Sequence, residues 1–418
     1  MRVMLFEQWY AGHHFHYVAA LIPPLLEIGV DVVVAISPRG HNSREFASLI
    51  APYRPRIAID SSVPDALPWM PLRQRARLLQ NLRDAVKRNA PDHVLVPSAD
   101  GQTIAMGPLR LLGLGTLPGG AVGEAGIHYG LGAAARNFKE RFKSCVYEMS
   151  CSAATWDRLH FVNPITYEAV IRRFPQMSQR CDVFPHPVLG YPGGDKLSAR
   201  DRLGVPRDGR YVGFAGKLDE RKSIDALLAA FRNAGAPMDR LLLAGELSER
   251  WRRLIACEYH DLVAAHRLIV LDRYLEDDEF TQVYAALDLV AVPYPEFGSA
   301  SGTLLEAVIA GRPVITSDFG WSGMMCRRFG LGWACSMRDI ESFAATLKTA
   351  LNGVTDYRVS PGAQRLIEFH RPANFARFWL SGVRSRLGLL PDPDQRSWSW
   401  VLELAATDAD TVSKALQH

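Results

Sequence analysis

Short apolar runs alternate with amphipathic stretches along the whole chain, and the alternation restarts once. In the first half, runs at 3–6, 30–36 and 93–96 are nearly continuous in apolar residues, as strands covered on both faces must be. Residues 121–128 and 159–162 are further strand candidates. Between them, apolar positions recur at helical spacing over 15–28 and, in a basic stretch, over 72–88. A Pro- and Gly-rich link, Pro185-His186-Pro187 and Tyr191-Pro192-Gly193-Gly194, interrupts the pattern. Beyond it come a helix at 198–203, a strand at 211–214, a helix at 223–232, strands at 240–244 and 268–271, and a helix at 278–286. Strands alternating with helices predict parallel sheets with right-handed crossovers. The expected fold is α/β, with two Rossmann-like domains at 1–187 and 188–372 and a last helix, 375–386, after Pro372.

The segment from Val290 to Asp318 carries the most chemistry. A strand ending at Val292 is stopped by Pro293 and Pro295. The small-residue loop Gly298-Ser299-Ala300-Ser301-Gly302-Thr303 then leads into a helix over about 304–310, and a strand at 313–316 follows. Unpaired N–H groups and the positive end of the helix dipole make such a strand–loop–helix junction an anion site. Glu306, inside the first turns, would repel a bare phosphate but accept hydrogen bonds from ribose hydroxyls. The combination predicts a nucleoside-diphosphate site.

With Leu305-Glu306-Ala307 followed by Gly311-Arg312-Pro313-Val314-Ile315, the chain resembles the retaining, nucleotide-sugar-dependent glycosyltransferases of family 4, the glycosyl transferases group 1. The likeness is close over about residues 200–370 and holds in outline over the first half. It implies the GT-B architecture, two Rossmann-like domains whose parallel sheets face across a cleft. An acceptor domain at 1–187, joined by the returning segment at about 373–418, would oppose a donor domain at 188–372. One position departs from the family: where it carries a Glu, with seven residues intervening before Glu306, this chain has Gly298. Glu296, two positions earlier, is the nearest acidic residue.

The family also has a basic residue after a strand and a Lys five positions on, and Lys217 and Lys222 occupy those places in Gly216-Lys217-Leu218-Asp219-Glu220-Arg221-Lys222. Ser223 stands where the family usually has Gly. A departing diphosphate gains negative charge as the sugar–phosphate bond breaks, and fixed cations favour that transition state. The competing explanation of these cations is a solvated loop. The resemblance implies donor phosphates on Lys217, Lys222, Gly216 and the backbone of Ser301, Gly302, Thr303 and Leu304. It also implies ribose on Glu306, sugar on Glu296 or the backbone near Gly298, and the base near Asp272, Arg273 and Tyr274. The co-substrate would be a UDP- or GDP-sugar, with no cofactor and no metal ion.

In the first half, the loop 9–14 follows a strand end, where ligands of open α/β sheets lie. There the family has glycines, which points to Gly12; His13, His14 and His16 are candidate acceptor contacts or bases, or helix-start packing residues. Asp100 in the loop after strand 93–96, and Glu124 and His128 around the next strand, could hold the acceptor hydroxyl or the sugar. Each could equally be a cap or turn residue, Asp100-Gly101 being ordinary turn chemistry. A helix over about 136–146 places Phe138, Phe142 and Cys145 at helical spacing beside Arg136, Lys139, Arg141 and Lys143. It reads either as an amphipathic helix facing the core or as one resting on an anionic membrane that presents a lipid-linked acceptor.

Composition narrows the class. At 418 residues the chain suits two domains, and 48% apolar with 22% charged residues is ordinary for a globular protein. The first 187 residues hold 20 Lys and Arg against 15 Asp and Glu, and the remainder 28 against 29. That mild excess, with no aromatic–basic stripe, argues against nucleic acid as a partner. Six cysteines without Cys-x-x-Cys pairs or zinc spacing read as reduced thiols. The N-terminus lacks a signal-peptide core, and the most apolar stretch, 18–36, is broken by Pro23, Pro24, Glu27 and Asp31. The expected enzyme is thus cytoplasmic, with peripheral contact at the inner membrane face as the variant. It would move sugar to a glycan, lipid-linked or small-molecule acceptor. The alternatives are a GT-B nucleotide-sugar epimerase and a non-catalytic nucleotide-sugar-binding protein.

Overall fold

A computed structural model describes residues 1–10, 14–65, 72–110, 115–128, 137–187, 195–219 and 222–403. The chain forms two compact units, Met1–Pro187 with Arg371–Trp398, and Val188–His370 with Ser399–His418.

In the first unit seven strands, β1 (Arg2–Glu7), β2 (Asp31–Ile36), β3 (Ala58–Asp60), β4 (His93–Val96), β5 (Val122–Ile127), β6 (Arg158–Phe161) and β7 (Cys181–Val183), form one sheet. Its order is β3-β2-β1-β4-β5-β6-β7 and every pairing is parallel. β1 and β2 bury every residue but the first, because helices cover both faces of the sheet. One core gathers Met4, Phe6, Val33, Val94, Val96 and Ile127 with Leu79, Leu82 and Trp156. The helix Pro372–Arg386 belongs to this unit and packs beside the helix His14–Glu27, with Phe375 stacked on Tyr17.

In the second unit six strands, β8 (Arg210–Ala215), β9 (Asp239–Ala244), β10 (Leu268–Leu271), β11 (Leu289–Val292), β12 (Val314–Ser317) and β13 (Gly332–Cys335), form another all-parallel sheet ordered β10-β9-β8-β11-β12-β13. Both sheets reverse strand order once, between β1 and β4 and between β8 and β11. The helices leading away from those paired strands go to opposite faces, which opens a crevice at the strands' C-terminal ends.

Every strand expected from the pattern is present, within about two residues at each end. The chain also holds β3, β7 and β13, which the pattern did not announce. All three are sheet edges of three or four residues and not fully buried, too short to form a run; β3 and β7 also carry an Asp. Asp100 is not in a loop: it opens the helix Asp100–Arg110. Gly126 explains how that helix starts so close to β5, since a Cβ there would sit 2.0 Å from the Pro97 carbonyl oxygen.

Candidate functional site

In the second unit the site is built on the reversal between β8 and β11. Gly216, at φ +124°, turns the chain out of β8. The loop after it is tied to the one after β9, with Leu218 N donating to Glu246 O (3.0 Å) and Ser248 N to Leu218 O (3.2 Å). Gly245 permits this approach, because a Cβ on it would lie 2.1 Å from Gly216 O. Lys217 is exposed and Lys222 half-buried. The Lys222 ammonium donates to Tyr294 Oη (2.8 Å) and lies over the Phe214 and Tyr294 rings, 5.0 and 4.6 Å from their centroids. Tyr294 follows β11, so this hydrogen bond spans the reversal point. Tyr294 Oη and Thr303 Oγ1 are 3.1 Å apart, which links the cation to the next helix. Ser223 adopts φ +36°, ψ +48°, a left-handed conformation that a β-carbon disfavours, so the family's usual Gly at this place has a backbone reason.

The helix expected over 304–310 spans Gly302–Ile309, so Gly302, Thr303 and Leu304 form its first turn. Ser301 is its N-cap, with Oγ accepting from Leu304 N (3.3 Å). Glu306 lies in the next turn. The residue as a whole is half-buried, but its Oε2 is sealed from solvent and has no hydrogen-bond partner. Burial pushes the carboxyl up to about 8, the nearby Tyr284 hydroxyl offsetting this in part and Asp277 adding to it. The Tyr284 hydroxyl is likewise buried without a well-formed partner. Below about pH 8 this buried carboxyl keeps its proton, and on releasing it becomes an acceptor for a ligand's hydroxyls beside the helix start.

The other expected donor residues are placed less directly. Asp272 is occupied, its Oδ1 accepting from Leu247 N (2.9 Å) and its Oδ2 from Arg252 Nε (2.6 Å). Arg273 pairs with Glu279 at 2.6 Å, and the Tyr274 ring is 52% exposed. Glu296 is an exposed loop carboxylate in an ion pair with Arg338. The chain at Phe297 and Gly298 packs against Gly320, whose added Cβ would lie 2.9 Å from Phe297 O.

In the first unit the reversal between β1 and β4 brings Glu7, His14 and Ser98 together. Glu7 Oε2 lies 3.2 Å from His14 Nδ1, which is 3.1 Å from Ser98 Oγ. Next to them, both Asp100 oxygens accept from His128 N (3.2 Å each), and Tyr147 Oη donates to Asp100 Oδ1. The His128 ring donates from Nε2 to Pro97 O (2.8 Å) and stacks on Tyr17 at 5.5 Å. Burial pushes its pKa below the ordinary value, opposed by the Asp100 charge, so a neutral ring is favoured. Gly12 and His13 lie outside the described residues, and His16 is half-buried in the helix His14–Glu27.

Glu124 does not join this group. It is buried in β5 with its oxygens 2.9 Å from His93 Nε2 and His160 Nε2, on the neighbouring strands, beneath Gly382 of the last helix. Against the cost of its burial, the two histidines hold the carboxyl down to about 2. Both its oxygens are occupied, as those of Asp100 are, but Glu124 is also fully buried within the sheet, which leaves it a structural ion rather than an acceptor contact. Sequence reading missed Glu7, Tyr17, Tyr284 and Tyr294. Glu7 had a signal, a charge ending an apolar strand; the tyrosines had none, because their partners lie far along the chain.

Residues 209–353 match the family described as glycosyl transferases group 1. The match covers about a third of the chain. A D-inositol 3-phosphate glycosyltransferase from Stackebrandtia nassauensis is 35% identical over 144 residues, 30% of each chain. The first curated relatives are matched over only 30% to 39% of their own length. Over whole chains the likeness is one of fold. A sucrose-phosphate synthase from Thermosynechococcus elongatus superposes with a TM-score of 0.68 at 18% identity, covering 93% of this chain and 99% of that one. Anabaena HepE in complex with UDP and glucose gives 0.64 at 14% identity, covering 92% and 100%. The fold is therefore GT-B, and the residues that match the group 1 model include Lys217, Lys222, Ser301 and Glu306.

Proposed function

We propose that this protein transfers a sugar from a nucleoside-diphosphate sugar to an acceptor hydroxyl with retention of configuration. The observation that carries the reading is Glu306. A buried carboxyl without a well-formed partner costs stability, and a ribose diol supplies two donors that would satisfy it once its proton is released. Around it, Lys222 and the first turn of the helix Gly302–Ile309 offer a cation and unpaired N–H groups to the diphosphate. Lys217 adds an exposed cation, and the base takes the surface of Tyr274 beside the Asp272–Arg252 pair.

As the anomeric C–O bond breaks, its electron pair goes to the diphosphate, where the lysines stabilise the charge; the acceptor oxygen bonds to the same face of the sugar and gives its proton to the departing diphosphate. In the first unit, Asp100 and neutral His128 are the groups for the acceptor or sugar. The group 1 match and the UDP-bound structural neighbour favour a UDP- or GDP-sugar donor. With cations supplied by lysine, the reaction needs no metal ion. The six free cysteines suit the reducing cytoplasm.

The test is a thermal-shift screen of UDP, GDP and ADP, followed by transfer from the matching nucleotide sugar in excess chelator. A ligand at 100 times its dissociation constant should add about 2.7 kcal/mol, and the product should keep the donor's anomeric configuration. No nucleoside diphosphate that binds, an inverted product, or a loss of activity that manganese restores would each overturn the proposal.

A further inference from the structure

The helix Phe138–Ala153 turns its apolar side outward. Its inner face is Ser144, Tyr147, Ser150 and Cys151, all buried, and Tyr147 reaches Asp100 from it. Its outer face carries Phe138 (84% exposed), Phe142 (61%), Val146 (38%) and Met149 (52%), with Cys145 half-buried among them. At about 100° per residue these five side chains fall within an arc of roughly 100°, opposite Tyr147 and Cys151. Exposed Lys139 and Lys143 border the arc on one side and exposed Arg141 on the other. Of the two acidic residues of the helix, Glu140 lies opposite the arc in the capped first turn; Glu148, on the flank of Arg141, is largely buried, accepting from Ser144 and pairing with Arg173. Of the two expectations for this segment, the core-facing one is excluded for both phenylalanines. Large exposed apolar stripes of this kind mark interaction surfaces.

We infer that this face seats on an anionic lipid surface, the phenylalanines inserted and the basic rim over the phosphates. An apolar stripe between basic borders is the pattern of a helix lying in the membrane interface. A second copy fits worse, because a two-fold pairing of this face would set the basic borders against each other. The helix lies on the surface rather than spanning it; among the described residues no helix is long and apolar enough to cross a membrane.

Co-sedimentation of the full chain with vesicles of phosphatidylcholine and phosphatidylglycerol, against phosphatidylcholine alone, tests this. Wild type should bind only the anionic vesicles, and binding should weaken as salt rises. Replacing Lys139, Arg141 and Lys143 together with Gln should lower the partition coefficient roughly a hundredfold. The pair Phe138→Ser and Phe142→Ser should abolish sedimentation. Both variants should melt with wild type, since the altered side chains are exposed. Failure to bind anionic vesicles, equal binding to neutral ones, or unchanged binding by the Phe variant would overturn the inference. So would a wild-type dimer that the Phe substitutions convert to monomer, which would assign the face to a second copy.

Discussion

Glu306→Gln should stabilise the unliganded protein at alkaline pH while weakening nucleotide binding. In the folded protein the carboxyl titrates near 8 against a usual value of 4.5. Between those values the folded state holds a proton that the unfolded chain has released. Stability from this group is therefore fully present below about pH 4.5 and is lost as pH rises towards 8. From pH 6 to pH 8 the loss comes to about 2 kcal/mol, taking about 1.4 kcal/mol per pH unit and flattening near the folded value. Gln has no proton to lose, so the difference between variant and wild type should grow by that amount over the interval. In a domain of this size it corresponds to roughly 4–8 °C in melting temperature. Urea denaturation of both proteins at pH 6 and pH 8, without nucleotide, measures it, with all other titrating groups cancelling. Binding supplies the second half. Ribose hydroxyls donating to the carboxylate release its proton, so affinity for an intact nucleotide sugar should rise up to about tenfold per pH unit below 8; the Gln variant should show no such slope. Parallel denaturation curves at both pH values would refute the reasoning, because the Glu306 carboxyl would then be no harder to ionise than an exposed one.

Lys222→Ala removes a charge-assisted hydrogen bond worth about 1.5–3 kcal/mol and should slow turnover by roughly ten- to a hundredfold, read in a steady-state transfer assay. Ser223→Gly should raise stability by about 1 kcal/mol in denaturant titration, because glycine adopts the left-handed backbone without the β-carbon penalty. Gly382→Ala should cost about 1–3 kcal/mol despite alanine's better helix propensity, since its Cβ would lie 1.8 Å from Glu124 Oε1, held in place by two histidines; near-ultraviolet circular dichroism during unfolding measures this.

Hydrophobic pattern alone determined the central strands, because a strand covered on both faces must be apolar throughout and so announces itself as a run. It announced the helix of Glu306 and its stop at Gly311, while the start, two residues earlier than expected, is set by the Ser301 cap. Edge strands such as β3 and β13 have one neighbour and need no such run, so only pairing with an adjacent strand made them visible. The sites divide in the same way. Lys222 and Glu306 are marked by the family resemblance within one half, whereas the Tyr294 that holds Lys222 lies 72 residues further on. Glu124 and Asp100 look alike in sequence as carboxylates near strand ends. One is sealed between histidines of two neighbouring strands; the other opens the helix after β4 and accepts from His128 N just beyond β5. Which carboxylate is sealed in the core and which stays near the strand ends is settled by contacts across the sheet. Those contacts join residues remote in the chain, and no local pattern encodes them.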